Sequence, residues 1–364
     1  MSSNGLNKKA RVIAFYLPQF HPIPENDEWW GKGFTEWMNV GKAKPLFPGH
    51  LQPRVPSELG YYDLRVPETR EAQANLAREY GIEGFAYWHY WFGNGRQLLE
   101  RPFNEVLESG KPDFPFCLSW ANETWKGFWH GLKDRQTLIA QEYPGIDDYV
   151  QHFKSVLPAF KDSRYLTVDN KPIFIVYHPF SIPNSQEFIE LWQRLAKENG
   201  LPGIFFVGIV FNDFEIDTVK QAGYDAAIIS TNFRYTEFKR PFIQTVKARF
   251  FKWFFGVKQF VCYSEASKHF VTEGSRREDV FPLIIPNWDH TPRTKKEGIV
   301  FHKSTPALFK KHLQDVKDHI KDKDYEHNIA VIKSWNEWGE GNFMEPDIIY
   351  GRQYLEVFRD VFGE

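Results

Sequence analysis

The chain has 364 residues, 42% of them hydrophobic and 25% charged, with a formal net charge of −2. That composition can fill a core and excludes a disordered protein, and a charge balance without long single-sign runs excludes a nucleic-acid groove. Cys117 and Cys262 lie far apart in apolar settings without a CxxC spacing, which excludes a zinc knuckle and predicts two buried free thiols.

The N-terminal stretch MSSNGLNKKARVIAFY has no apolar leader core, and no apolar run nears the roughly 20 residues that cross a bilayer. A cytoplasmic location without a transmembrane segment is therefore expected. Strand one is RVIAFYL (11–17), followed by a long aromatic, Pro-rich loop to about Pro56 that is expected to help form a cleft. A helix is predicted from about Pro67 to Tyr80, ending at Gly81. Strand two is predicted over about Ile82 to Trp88, and a helix from near Arg96 to Ser109. PFCLSW is strand three, followed by a helix capped at Asp147 or Asp148. IFIVYH, IFFVGIV and DAAIIS are strands four to six, each separated by a helical pattern.

A basic, aromatic stretch near residues 234–260 follows, with Arg249, Lys252 and Lys258 set between aromatic residues. It reads as an amphipathic helix with one wet face, with a membrane-surface contact as the competing reading. FPLIIPNW is strand seven, TPALFKKHLQDVKDHI its helix, IAVIKSW strand eight, and RQYLEVFRDVF the last helix. Eight β-α units predict an α/β fold: one (β/α)8 TIM barrel over residues 1–364, with long loops over its C-terminal face. A doubly wound sheet is disfavoured because no Gly-rich phosphate turn follows strand one.

Barrel enzymes place their chemistry at the carboxyl ends of the strands. Here those ends carry Tyr16 and His21, then Tyr87, Trp88, His89, Tyr90 and Trp91, then Trp120, Asn122 and Glu123. Further on come Tyr177 and His178, Asn212 and Asp213, Asn232, Asn287, Trp288 and Asp289, then Trp335, Asn336 and Glu337, with Glu340 one turn later. Trp37 joins them from the first loop. The plainer alternatives are that Trp88 and Trp91 seal the barrel mouth, that His89 and His178 are core histidines, and that Glu123 bridges to an Arg. No HxH, HExxH or carboxylate–histidine spacing suggests a metal, so neither metal nor cofactor is expected.

The 17% aromatic content, with 13 Trp, suits a cleft that stacks sugar rings. Two acids three residues apart among indoles suit acid and base work. Their mutual repulsion separates the two titrations, so that one is protonated while the other is ionised.

FYLPQFHPIPENDEWWGKGFTEW (15–37), AYWHYWF (86–92), CLSWANETW (117–125) and SWNEWGEGNFMEPD (334–347) together resemble the WbsX proteins, relatives of glycoside hydrolase family 99. That family comprises endo-α-mannosidases and endo-α-mannanases. The resemblance implies a (β/α)8 barrel, no metal, and retention of configuration through Glu337 and Glu340. One glutamate would deprotonate the substrate 2-hydroxyl, which attacks the anomeric carbon to give a 1,2-anhydro sugar. The other would protonate the leaving oxygen and then activate water. By position, Glu337 would be the base and Glu340 the acid. The expected partner is an oligo- or polysaccharide of mannose or O-antigen type. WbsX proteins are also labelled glycosyltransferases of surface-polysaccharide assembly, although no DxD-type nucleotide-sugar motif lies in a plausible loop. A non-catalytic glycan-binding barrel is the third reading.

Overall fold

The computed structural model describes residues 10–127, 136–230 and 242–363. Asn232 and the start of the basic stretch lie outside the described residues. Eight parallel strands form the barrel: β1 (Arg11–Tyr16), β2 (Gly84–Trp91), β3 (Phe116–Trp120), β4 (Lys171–Val176), β5 (Phe205–Val210), β6 (Ala226–Ile229), β7 (Val280–Ile284) and β8 (Ile329–Ile332). Each pairs in parallel with its sequence neighbours, and β8 pairs with β1 to close the barrel. The closing registers are Arg11 opposite Ile329, Leu283 opposite Val331 and Ile13 opposite Gly84. Strands buried on both faces need continuous apolar runs; every residue of β1, β2, β3, β5, β6, β7 and β8 is buried.

Helices alternate with the strands as expected, among them Pro67–Glu79, Ile146–Phe160, Ser185–Glu198, Pro306–Ile320 and Gln353–Phe362. Gly208 on β5 shows how closely they pack: a Cβ there would meet Val219 Cγ2 at 2.5 Å.

Several boundaries differ from the sequence reading, two of them where the chain turns back on the barrel. β2 runs on to Trp91 because Gln97–Leu98 folds back against it, with Tyr90 opposite Leu98 and Trp91 opposite Gln97. Residues 96–98 are thereby taken from the predicted helix, which begins at Arg101 instead. β8 stops at Ile332, earlier than predicted, because Trp335 N turns back to bond Phe15 O at 2.8 Å.

The loop after β1 holds two short helices, Pro24–Trp30 and Glu36–Lys42. Of the basic stretch, residues 242–255 form a helix, followed by strand Gln259–Cys262 paired in parallel with Ile299–His302.

Candidate active site

A cleft of about 260 Å³ opens at the carboxyl ends of the strands. Leu17 and Gln19 enter it after β1, Trp88 and Tyr90 from β2, Ala121, Glu123 and Trp125 after β3, and Tyr177 after β4. His290 and Arg293 complete it after β7, with Lys333, Glu337 and Glu340 after β8.

Two-residue periodicity decides which aromatic groups face the cleft. On β2, Trp88 and Tyr90 point inward. Trp88 stacks on Phe15 with ring centroids 4.5 Å apart and lies edge-on to Tyr177 at 5.6 Å. The alternate residues point out to the helices: Tyr87 packs on Phe103, His89 Nε2 lies 2.8 Å from His152 Nε2, and Trp91 donates to Asp148 at 3.1 Å. The same alternation after β3 sends Ala121, Glu123 and Trp125 inward, while Trp120 turns outward and donates to Trp91 O at 2.9 Å.

At the floor of the cleft, Arg293 in the one-turn helix Thr291–Thr294 holds three carboxylates. Its Nε donates to Glu36 at 3.0 Å, its Nη2 to Glu337 at 2.7 Å, and its Nη1 to Glu340. All four side chains are buried or nearly so. Glu36 also accepts from Asn39 at 3.1 Å. Gly339, between the two acids, is required by this packing: any Cβ there would collide with the Glu36 carboxylate. Asp289 N fixes the Glu340 carbonyl at 2.7 Å, and His290 Nε2 lies 3.4 Å from its carboxylate. The Lys333 ammonium sits 5.4 Å from the Trp88 ring centre and 5.2 Å from that of Trp288.

This arrangement pushes the acids apart. Burial raises Glu337, the nearby Glu340 carboxylate adds to the rise, and Arg293 and Lys333 offset only part of it. Burial would also raise Glu340, but Arg293 and then His290 override it and hold that carboxyl well below the usual range. In the free site Glu337 is therefore the acid of the pair that takes up a proton first. That order is opposite to the roles implied by the resemblance. Burial, followed for Tyr90 by Glu337 and for Tyr177 by Glu123, keeps both phenols protonated far above neutral pH, so both remain donors.

Of the candidate residues, Trp88, Tyr90, Glu123, Tyr177, Glu337 and Glu340 line the cleft, and His178 reaches it through Glu123, 3.5 Å away. The others lie behind it. Asn336 clamps the end of β1 by bonding Leu17 N at 2.7 Å and Leu17 O at 3.0 Å. Asn122 ties β3 to β4 through His178 N at 2.8 Å and His178 O at 2.9 Å. Tyr16 bonds Gln73 at 2.7 Å outside the barrel, and His21 bonds Pro18 O at 2.9 Å. Trp37 donates to Tyr62 O at 2.8 Å and packs on Trp338. Trp335 is buried against Phe85, and Trp288 is buried beneath Lys333. Asn287 lines a separate cavity beside His50 and Asp289.

The sequence reading missed Arg293, His290, Lys333 and the inward-facing Trp125. Three buried acids need a buried cation, and NWDHTPR, just past strand seven, was the place to look for it. Among the described residues no group of three or more His, Cys, Asp or Glu could hold a metal ion.

Fold and cleft define a (β/α)8 barrel that holds a carboxylate pair in an aromatic cleft at its strand ends. More narrowly, the chain belongs to the WbsX family: the family model described as Glycosyltransferase WbsX matches residues 12–358. The uncharacterized protein WxcX of Xanthomonas campestris pv. campestris (strain B100) is 35% identical over 358 residues. That alignment covers 96% of this chain and 49% of WxcX, so the chain spans about half the length of the curated relatives it matches. The GH99 endo-α-mannosidase from Bacteroides thetaiotaomicron, in complex with BIS-TRIS-propane, is similar in fold, with a TM-score of 0.60 and 14% identity over 97% of this chain and 98% of that one. A glycoside hydrolase-like protein aligns with a TM-score of 0.56 and 14% identity over 100% of this chain and 96% of that one.

Proposed function

We propose that this chain is a retaining, endo-acting glycoside hydrolase for a mannose-type or O-antigen-like polysaccharide. Glu337 and Glu340 are its acid–base pair, and the substrate 2-hydroxyl is its nucleophile. The observation that carries this reading is the pair itself: two carboxylates on one guanidinium, beneath Trp88, Tyr90, Trp125 and Tyr177. One carboxylate takes the proton of the 2-hydroxyl as that oxygen attacks the anomeric carbon. The other protonates the departing oxygen and then deprotonates the water that opens the 1,2-anhydro sugar. In the order implied by the resemblance, Glu337 is the base. In the free site Glu337 takes up a proton more readily than Glu340, so this order requires substrate entry to reverse that preference, by loosening the Arg293–Glu340 contact.

A 2-deoxy-2-fluoro glycoside lacks the attacking oxygen and is expected to leave no covalent adduct. Glu337→Gln and Glu340→Gln are each expected to lose at least about 10²-fold in kcat, and Glu123→Gln less. With an activated aryl leaving group, Glu340→Gln is expected to regain rate and Glu337→Gln to stay slow; the opposite result assigns the acid to Glu337. A peptide carrying sugar on Glu123 or Glu337 would overturn participation in favour of double displacement.

The family's name supports a second reading, transfer from an activated donor. Saturation-transfer NMR with nucleotide sugars separates the two, since a hydrolase needs no nucleotide contact. Glycan binding without turnover would instead make the barrel a binding protein.

A further inference from the structure

The helix Phe242–Phe255 is the one long element of the described structure with no buried residue. Its inner stripe is nonetheless anchored. Phe251 stacks on Phe260 at 3.7 Å, and Phe47 meets Phe251 edge-on at 4.8 Å. Its outer stripe is uncovered: Phe242, Ile243, Val246, Phe250, Trp253 and Phe254 are all exposed, Phe242 by 82% and Trp253 by 81%. At helical period these six fall within an arc of about 120°. Six large apolar groups on one arc form a patch of the kind that marks a contact surface.

The helix's own charge has one sign. Lys247 and Arg249 fall on the two flanks of the arc, Lys252 follows, and residues 242–255 contain no Asp or Glu; Lys258, beyond the helix, is paired with Glu297 at 2.5 Å. A second copy of the chain would bring basic flanks against basic flanks. Anionic headgroups around an apolar layer match both features at once. The helix is about 21 Å long at 1.5 Å per residue, and no helix of the described residues is long and apolar enough to cross a membrane. It therefore suits the plane of the interface, with Trp253 at headgroup depth.

We propose that the outer face of this helix docks the protein on an anionic lipid bilayer. The reading of the basic stretch as an amphipathic helix with a wet polar face is thereby revised, because here the apolar side is the exposed one. The inference stands apart from the reaction assigned to the cleft. The two surfaces do share a platform: Lys258 N bonds Lys296 O at 2.9 Å, just past Arg293, and His290 N bonds Ile299 O at 2.9 Å.

The test is sedimentation of the full chain with vesicles of phosphatidylcholine alone or mixed with phosphatidylglycerol. The wild type is expected to pellet only with the mixed vesicles and to be released by high salt. A Trp253→Glu/Phe254→Glu variant is expected to stay in the supernatant with an unchanged melting temperature, since neither side chain is buried. Lys247→Ala/Arg249→Ala keeps the apolar stripe and is expected to partition about 25-fold more weakly, at about fivefold per basic residue. Wild-type protein that does not pellet, or that binds neutral vesicles equally well, overturns the proposal. So does a lipid-free dimer that Trp253→Glu/Phe254→Glu dissociates, which would make the face a self-interface.

Discussion

Arg293 is the residue on which the cleft's charge balance turns. Removing it leaves Glu36, Glu337 and Glu340 buried together, and breaking a buried pair costs about 3–5 kcal/mol. Arg293→Met is therefore expected to lose about that much in urea unfolding at pH 7, and to lose less at low pH, where the stranded acids take up protons. Glu345 makes a different prediction. It is buried outside the cleft and accepts from Tyr62 at 2.8 Å, Gln73 at 2.6 Å and Trp338 at 2.6 Å. Trp338 lies between the two acids, so Glu345 steadies the turn that carries them. Burial pushes its carboxyl up from 4.5 to about 7 against those donors. Between these values the folded protein holds a proton that the unfolded chain has released, so this group's contribution to stability falls as pH rises. The fall amounts to about 3 kcal/mol. Glu340, held low, contributes in the opposite sense at acid pH. A difference curve against Glu345→Gln isolates Glu345: the variant's stability relative to wild type should climb between pH 4.5 and 7 and level off above.

At the scale of elements, most of the barrel was legible in the sequence, because β5 to β8, and β1 past Arg11, are unbroken apolar runs that only a doubly covered sheet accepts. The acid pair was legible too, because Gly and Trp around Glu337 and Glu340 serve poorly as a solvated loop. The cleft wall was only half legible. Five consecutive aromatic residues at the end of strand two were all open to a cleft role, yet the pleat admits alternate ones. Extending the strand to Trp91 required the return of Gln97–Leu98, a pairing that no local pattern announces. Arg293 was hidden for a related reason: its three partners come from loops remote in sequence, and only closure of the barrel brings them together. The alternation yields a paired test. Trp88→Ala should weaken binding of the cleft's glycan by about tenfold, in line with about 1–1.5 kcal/mol for a lost aromatic contact, and should also lower the melting temperature, because its ring is buried against Phe15. His89→Ala should lower the melting temperature and leave affinity intact, because its ring faces His152 behind the wall. Calorimetric titration and thermal melts on the same two proteins distinguish the outcomes.

In the whole molecule, the two thiols report on different depths. Cys117 is wholly buried on β3, and Cys262 is half-buried at the end of the outlying strand. A thiol reagent followed by mass spectrometry should modify Cys262 in the native protein and Cys117 only after unfolding. The closure of the barrel has a further consequence, for the protein's birth. β8 is the strand that joins β7 to β1, through Leu283 opposite Val331 and Arg11 opposite Ile329. A ribosome that has just finished β7 holds seven strands with raw edges on β1 and β7, the sort of edges that invite wrong partners. At cellular rates of synthesis this interval lasts roughly 2 to 10 seconds, long enough for a chaperone to be needed. The acids at 337 and 340 emerge only after the closing strand. A chain terminated before β8 therefore carries neither acid.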